Sequence, residues 1–216
     1  MSTALAILRP ARHVVWVALG AACVAATACS NNSPQSPDGF IAATMDVGAM
    51  SPATVCNFGS TQQWLDVGTA TGGKPTTVQD GAQNAGANVH VTCTVSAVNN
   101  GFDVVLNITQ EGLQGGSVTI SSPSGQGAVT ASGGTVRASF ESGSLGDFTE
   151  SDCMITYTYQ GQSVPDSPPI AAGRIWGHVS CPTAQNSGST VMLPDGGSQP
   201  RQCDGEADFL FEQCGQ

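Results

Sequence analysis

Cysteines, histidines and clustered carboxylates are the residues of this 216-residue sequence whose types and spacing could support chemistry, and each set points to a different kind. Cys56, Cys93, Cys153, Cys181, Cys203 and Cys214 are scattered singly. Without a Cys-x-x-Cys pair zinc has no local nucleus, so disulfides are the chemistry this spacing supports. His90 and His178 fall on the polar phase of alternating segments, where a surface role is ordinary and the spacing supplies no metal partners. Two acidic groups stand out: Asp147, Glu150 and Asp152, then Asp204, Glu206 and Asp208. The second alternates like the start of a calcium loop, which makes these three residues candidate metal ligands. The glycine and distal glutamate of an EF-hand are missing, and solvated turns are their ordinary role. Trp64 and Trp176 are candidate stacking platforms for a sugar, with Trp176 on the phase opposite Ile175 and Val179. Neither a Gly-x-Ser-x-Gly elbow nor a Ser-x-x-Lys motif occurs, so no catalytic residue is assigned and no cofactor is expected.

The firmest element spans residues 88–110. Val89, Val91, Cys93, Val95 and Ala97 share one phase, with His90, Thr92, Thr94 and Ser96 on the other, the period of a strand with one buried face. Phe102, Val104, Leu106 and Ile108 continue the alternation after Asn99, Asn100 and Gly101, which form a hairpin turn. Further strands are expected near residues 40–47, 54–58, 63–67, 117–121, 135–140, 153–159, 174–181 and 207–211. Residues 80–88, 162–172 and 182–202 read as loops. No sustained helical period is present. The pattern predicts an all-β fold, an antiparallel two-sheet sandwich of immunoglobulin-like or related type reinforced by disulfides, with a barrel as the alternative.

Strand geometry also constrains the disulfides. Cys203 and Cys214 flank one expected strand, which separates them by far more than the roughly 7 Å a disulfide allows. Cys181 with Cys203 is the preferred pair, since both lie at one end of neighbouring strands. Cys153 with Cys181 is equally allowed, and the remaining cysteines are unassigned.

Only a tenth of positions are charged and the net charge is −10. Beyond Arg9 and Arg12 near the start, the cations are Lys74, Arg137, Arg174 and Arg201, a balance that argues against nucleic acid or anionic lipid as partners.

Residues 1–28 have the parts of an export signal: Arg9 and Arg12, an apolar run from Val14 to Ala26, and the small residues Ala26, Thr27 and Ala28 before Cys29. Ala26-Thr27-Ala28-Cys29 resembles the lipobox of bacterial lipoproteins, with Ala26 where that class prefers Leu. The resemblance implies diacylation of Cys29 and, because Ser30 is not aspartate, an outer-membrane destination. Cysteine parity agrees, since lipid on Cys29 leaves an even set of six; ordinary secretion after the same triplet is the alternative. The organisation expected is a signal peptide over 1–28, a lipid-anchored tether over 29–39 and one β-domain over 40–216. A non-catalytic cell-envelope lipoprotein follows, with a structural or binding role and a membrane contact through its lipid. Its ligand would be a protein or a glycan. A carbohydrate-binding or adhesive module is the alternative, and a secreted hydrolase ranks third.

Overall fold

A computed structural model describes residues 35–216, apart from 71–72, 113–114 and 126. The signal segment, the lipobox-like residues with Cys29, and the first part of the tether lie outside the described residues. The chain begins with β1 (Asp38–Asp46), the single helical turn α1 (Ala53–Cys56), β2 (Gln62–Val67), β3 (Val78–Gln79) and β4 (Gln83–Asn84). The long strands β5 (Ala87–Val98) and β6 (Gly101–Gln110) follow, then β7 (Gly116–Ser121), β8 (Val129–Thr130), β9 (Gly133–Ser142) and β10 (Gly146–Thr156). After the short β11 (Thr158–Tyr159), β12 (Gln162–Ser163) and β13 (Ile170–Ala171) come the two longest strands, β14 (Arg174–Met192) and β15 (Ser198–Glu212).

The fold is all-β and antiparallel. Its backbone bonds form one continuous thirteen-stranded sheet, not two separate ones: ten strands run in the order β2-β1-β15-β14-β10-β9-β7-β6-β5-β4, while β3 pairs with β1, β13 with β14, and β8 with β6 and β9. β11 and β12 make a separate small hairpin. The large sheet encloses one main core because strands distant in its order meet across it. A Cβ on Gly39 of β1 would lie 3.2–3.3 Å from Val91 of β5, Ile108 of β6 and Phe211 of β15. A Cβ on Gly205 of β15 would lie 3.0 Å from the Phe140 ring of β9. Alternate residues therefore reach the core: Val89, Val91 and Val95 of β5, Val104, Leu106 and Ile108 of β6, and Phe209 and Phe211 of β15 are fully buried.

The β5–β6 hairpin has the expected register, Val98 opposite Gly101 and Val91 opposite Ile108. Its turn residues Asn99 and Asn100 do not adopt positive φ. Gly101 is required for room, because a Cβ there would strike the carbonyls of Val129 and Gly127. Ala97, expected inside, is exposed beyond the last covered position. Residues 54–58, expected as a strand, contribute instead to α1, which ends at Asn57 in the left-handed region with its N–H donating to Ala53 O. Residues 182–202, expected as a loop, are mostly the paired outer halves of β14 and β15, with bulges between Cys181 and Ala184 and between Asn186 and Thr190. Pro182 is tolerated because it sits in the first bulge.

Both margins of the sheet are hydrogen-bonded. On β2, Asn84 Nδ2 donates to Asp66 O and Gly68 N donates to Asn84 Oδ1. On β5, Val89 exchanges bonds with Gly81 and Ala82, and Val91 N donates to Asp80 Oδ1. Further along, Val95 N donates to Gly215 O and Gly215 N to Cys93 O.

The buried phase of the main hairpin is testable. Ile108→Ala should cost about 2–5 kcal/mol through lost burial and a cavity, whereas Thr92→Ala, on the exposed face, should cost about 0.5 kcal/mol or less. Denaturant melts of the two variants check the order of these losses, and a reversed order would mean the faces are exchanged.

Candidate functional site

The six cysteines form three disulfides: Cys56–Cys203, Cys93–Cys214 and Cys153–Cys181. The preferred Cys181–Cys203 pair is corrected. Cys181 lies opposite Gly205 on the β15 side, and Cys203 comes opposite Ala184 after the bulge. On its other side Cys181 faces β10, where the register that pairs Met154 with Ser180 sets Cys153 beside it. That alternative, also open from the sequence, is the one formed. Cys203 reaches α1, whose turn presents Cys56, and Arg201 secures the same corner: its guanidinium lies 4.0 Å above the Phe58 ring and donates to Cys56 O and Asn57 O.

Neither tryptophan offers a stacking face. Trp64 is 3% exposed, wedged edge-on against Phe148 at 5.6 Å in the main core. Trp176 points outward, as its phase implies, yet is fully buried. It stands in a cross-strand row with Leu210 and Phe40 on the outer face of β14, β15 and β1. The β11–β12 hairpin covers that row: the Tyr159 ring meets Trp176 at 5.7 Å and Phe40 at 6.1 Å, and its hydroxyl donates to Ala70 O. The continuous strand expected over residues 153–159 would set Ile155, Tyr157 and Tyr159 in one phase. It is corrected here, because β10 ends at Thr156 and the chain turns before Thr158. Gln160 and Gly161, at φ 50° and 73°, then supply the tight reversal into β12.

The next row along the same outer face is Ala42, Asp208, His178 and Thr156. His178 Nδ1 is 3.0 Å from Asp208 Oδ1, and the other carboxylate oxygen of Asp208 accepts from Gln160 N at 3.4 Å. Asp208 thus ties β14 to the covering hairpin. Its hydrogen bond holds the His178 pKa above the ordinary 6.5, against the opposing effect of burial. Among the described residues no serine, threonine or tyrosine hydroxyl is hydrogen-bonded to His178. The nearby Tyr157 hydroxyl donates to Thr130 O, and burial pushes its pKa up to about 12, far from any acid–base role near neutrality.

Asp204 and Glu206 continue outward along β15 from Asp208, on one face as the alternation requires. The three do not converge. Asp208 is committed to His178 and Gln160, and Asp204 lies beneath Gly48, where any side chain would collide with its carboxylate. Burial raises the Asp204 pKa, and Glu206, Glu150 and Asp46 push it the same way. Among the described residues, one set of His, Cys, Asp or Glu ligand atoms lies within 4.8 Å of one another: Glu150, Cys153 and Cys181. Both sulfurs there are joined to each other, which removes the thiolates a metal would need. Glu150 is itself used, accepting from Thr183 N and Oγ1 at 2.8 Å. His90 is exposed, with Nε2 3.3 Å from Glu111 and Nδ1 3.7 Å from Asp80. Sequence reasoning missed the covering hairpin. The signal available was the pair of adjacent residues Gln160-Gly161 between two short polar runs.

The His178–Asp208 tie makes stability depend on pH in a defined sense. Because the folded pKa is raised, the stabilisation is complete below about 6.5 and is lost as pH rises through the folded value. Denaturation midpoints measured upward from about pH 6 should fall in the wild type, and the part of that slope due to His178 should vanish in Asp208→Asn; equal slopes would remove the tie. Compared with known families, curated proteins and solved structures, the chain matches none.

Proposed function

We propose that the protein is a non-catalytic, exported domain held to the cell envelope by lipid on Cys29, with a structural or binding role at the membrane surface. The observation that carries this reading is the complete pairing of the six domain cysteines. With Cys23 removed in the apolar run, lipid on Cys29 leaves no thiol over, as suits an oxidising compartment. Two acyl chains give the stable anchoring that a single chain does not. Ser30, which is not aspartate, favours the outer membrane through the lipoprotein resemblance. The buried tryptophans withdraw the support for glycan stacking, and the His178–Asp208 pair favours a structural role over hydrolysis. In fold terms we read the curled sheet as a sandwich, with β1, β15 and β14 in one layer and β5, β6, β7 and β9 in the other. The reach of Gly39 toward Val91 and Ile108, and of Gly205 toward Phe140, supports that division.

Metabolic labelling with a fatty-acid analogue should mark the wild type and leave Cys29→Ala unmarked; label on the variant would remove the anchor. Thiol titration of the denatured, unreduced wild type should find no reactive cysteine, and one titratable thiol per chain would break the parity on which the reading stands.

A further inference from the structure

The three disulfides differ in setting. Cys56, Cys203, Cys153 and Cys181 have no exposed surface. Cys93 is partly exposed, and with Cys214 it borders an open cavity of about 740 Å³ that Thr92, Ala172, Gly173 and Gln213 also line. Their bond therefore lies at the margin of the sheet and not in the deep core that the phase of Cys93 implied. It fastens residues 213–216, which follow β15, against the outer side of β5. Within that segment Gln213, Gly215 and Gln216 are exposed, so Cys214 is its one buried anchor. The other attachments are chiefly main-chain bonds, all at 2.9 Å: Cys214 N to Gly173 O, Gly215 N to Cys93 O, and Val95 N to Gly215 O.

We propose that Cys93–Cys214 is a thiol–disulfide exchange site for dithiol reductants, and that its reduction releases residues 213–216 from β5 while the other two disulfides stay closed. A thiolate of the reductant attacks Cys93 Sγ, the half with more exposure, forming a mixed disulfide and expelling the Cys214 thiolate. The second thiol of the reductant, as thiolate, displaces Cys93 and closes the reductant's own disulfide. Two electrons pass to the protein, and the two protons of the dithiol end on Cys93 and Cys214. Exposed disulfides are the labile ones because the attacking thiolate must reach a sulfur. Once cut, the segment keeps only a few surface hydrogen bonds, the kind of contact that opens at the low end of local stability. Opening strips Val95 N and Cys93 O of their partners, while Val95 O keeps the bond donated by Gly173 N.

The test is graded dithiothreitol treatment of the folded wild type, followed by alkylation, peptide mass spectrometry and amide exchange. Label should enter Cys93 and Cys214 together while the other four cysteines carry none, and the Val95 and Gly215 amides should lose protection while that of Ile108 keeps it. Simultaneous labelling of all six cysteines would overturn the proposal, as would selective reduction that leaves Val95 protected. A Cys93→Ser, Cys214→Ser double variant provides a second reading. Its Val95 amide should exchange as in the reduced wild type, and protection equal to that of the oxidised protein would also overturn the proposal.

Discussion

The ladder between β14 and β15 is the interaction on which the rest of the structure depends. Its register sets Ile175 opposite Phe211, Val179 opposite Ala207 and Cys181 opposite Gly205 without a break. The inward residues from Ile175 to Cys181 and from Gly205 to Phe211 follow from that alignment, and so do the outward ones, including His178 opposite Asp208. A shift of one residue would turn β15 over relative to β14 and exchange its two faces. Phe209 and Phe211 would then meet solvent while Asp208 and Glu206 entered the core, where an unpaired carboxylate is costly. The burial of the aromatic rings and the solvation of the acids therefore enforce the same register.

From that ladder the sheet extends both ways, through β1 and β2 on one side and through β10, β9, β7, β6 and β5 on the other. Its curvature relies on small residues facing large ones. Gly205 leaves space for the Phe140 ring and Met45, and Gly39 for Val91, Ile108 and Phe211. Two disulfides then join points remote in sequence, 147 and 121 residues apart, where crosslinks restrict the unfolded chain most. The third joins adjacent strands only 28 residues apart and crosses beside the β10 bulge.

What was legible in the sequence follows from how far each residue's fate is decided locally. The β5–β6 hairpin was readable because a two-residue connection fixes register and period-two alternation fixes the face. α1 was not, because four residues held by a distant disulfide and by Arg201 carry no period of their own. The outer halves of β14 and β15 escaped for a related reason: beyond Asn186 both faces are largely exposed, so no alternation marks them. Tyr159 leaves the phase of Ile155 because the strand breaks after Thr156, which alternation alone does not reveal. The pairing of Cys181 turned on the bulge at Pro182 and Thr183, whose offset depends on both partner strands at once. Alternation at Trp176 gave its direction correctly. Its burial came from a separate hairpin folded over it, which the alternation of β14 does not encode.

The amide of Asn84 at one margin of the sheet and the main chain of residues 213–216 at the other have a consequence for solubility. An open row of strand amides and carbonyls is a template on which other chains polymerise. Among the described residues, the margin at β2 is met by the Asn84 side chain, and the margin at β5 by β4 and by residues 213–216. The occupant at β2 is a side chain, which does not itself extend the ladder. Residues 213–216 make a single isolated bridge to β5, Thr94 with Gly215. Groups of the same molecule thus occupy part of each margin, where a strand of another molecule would otherwise add.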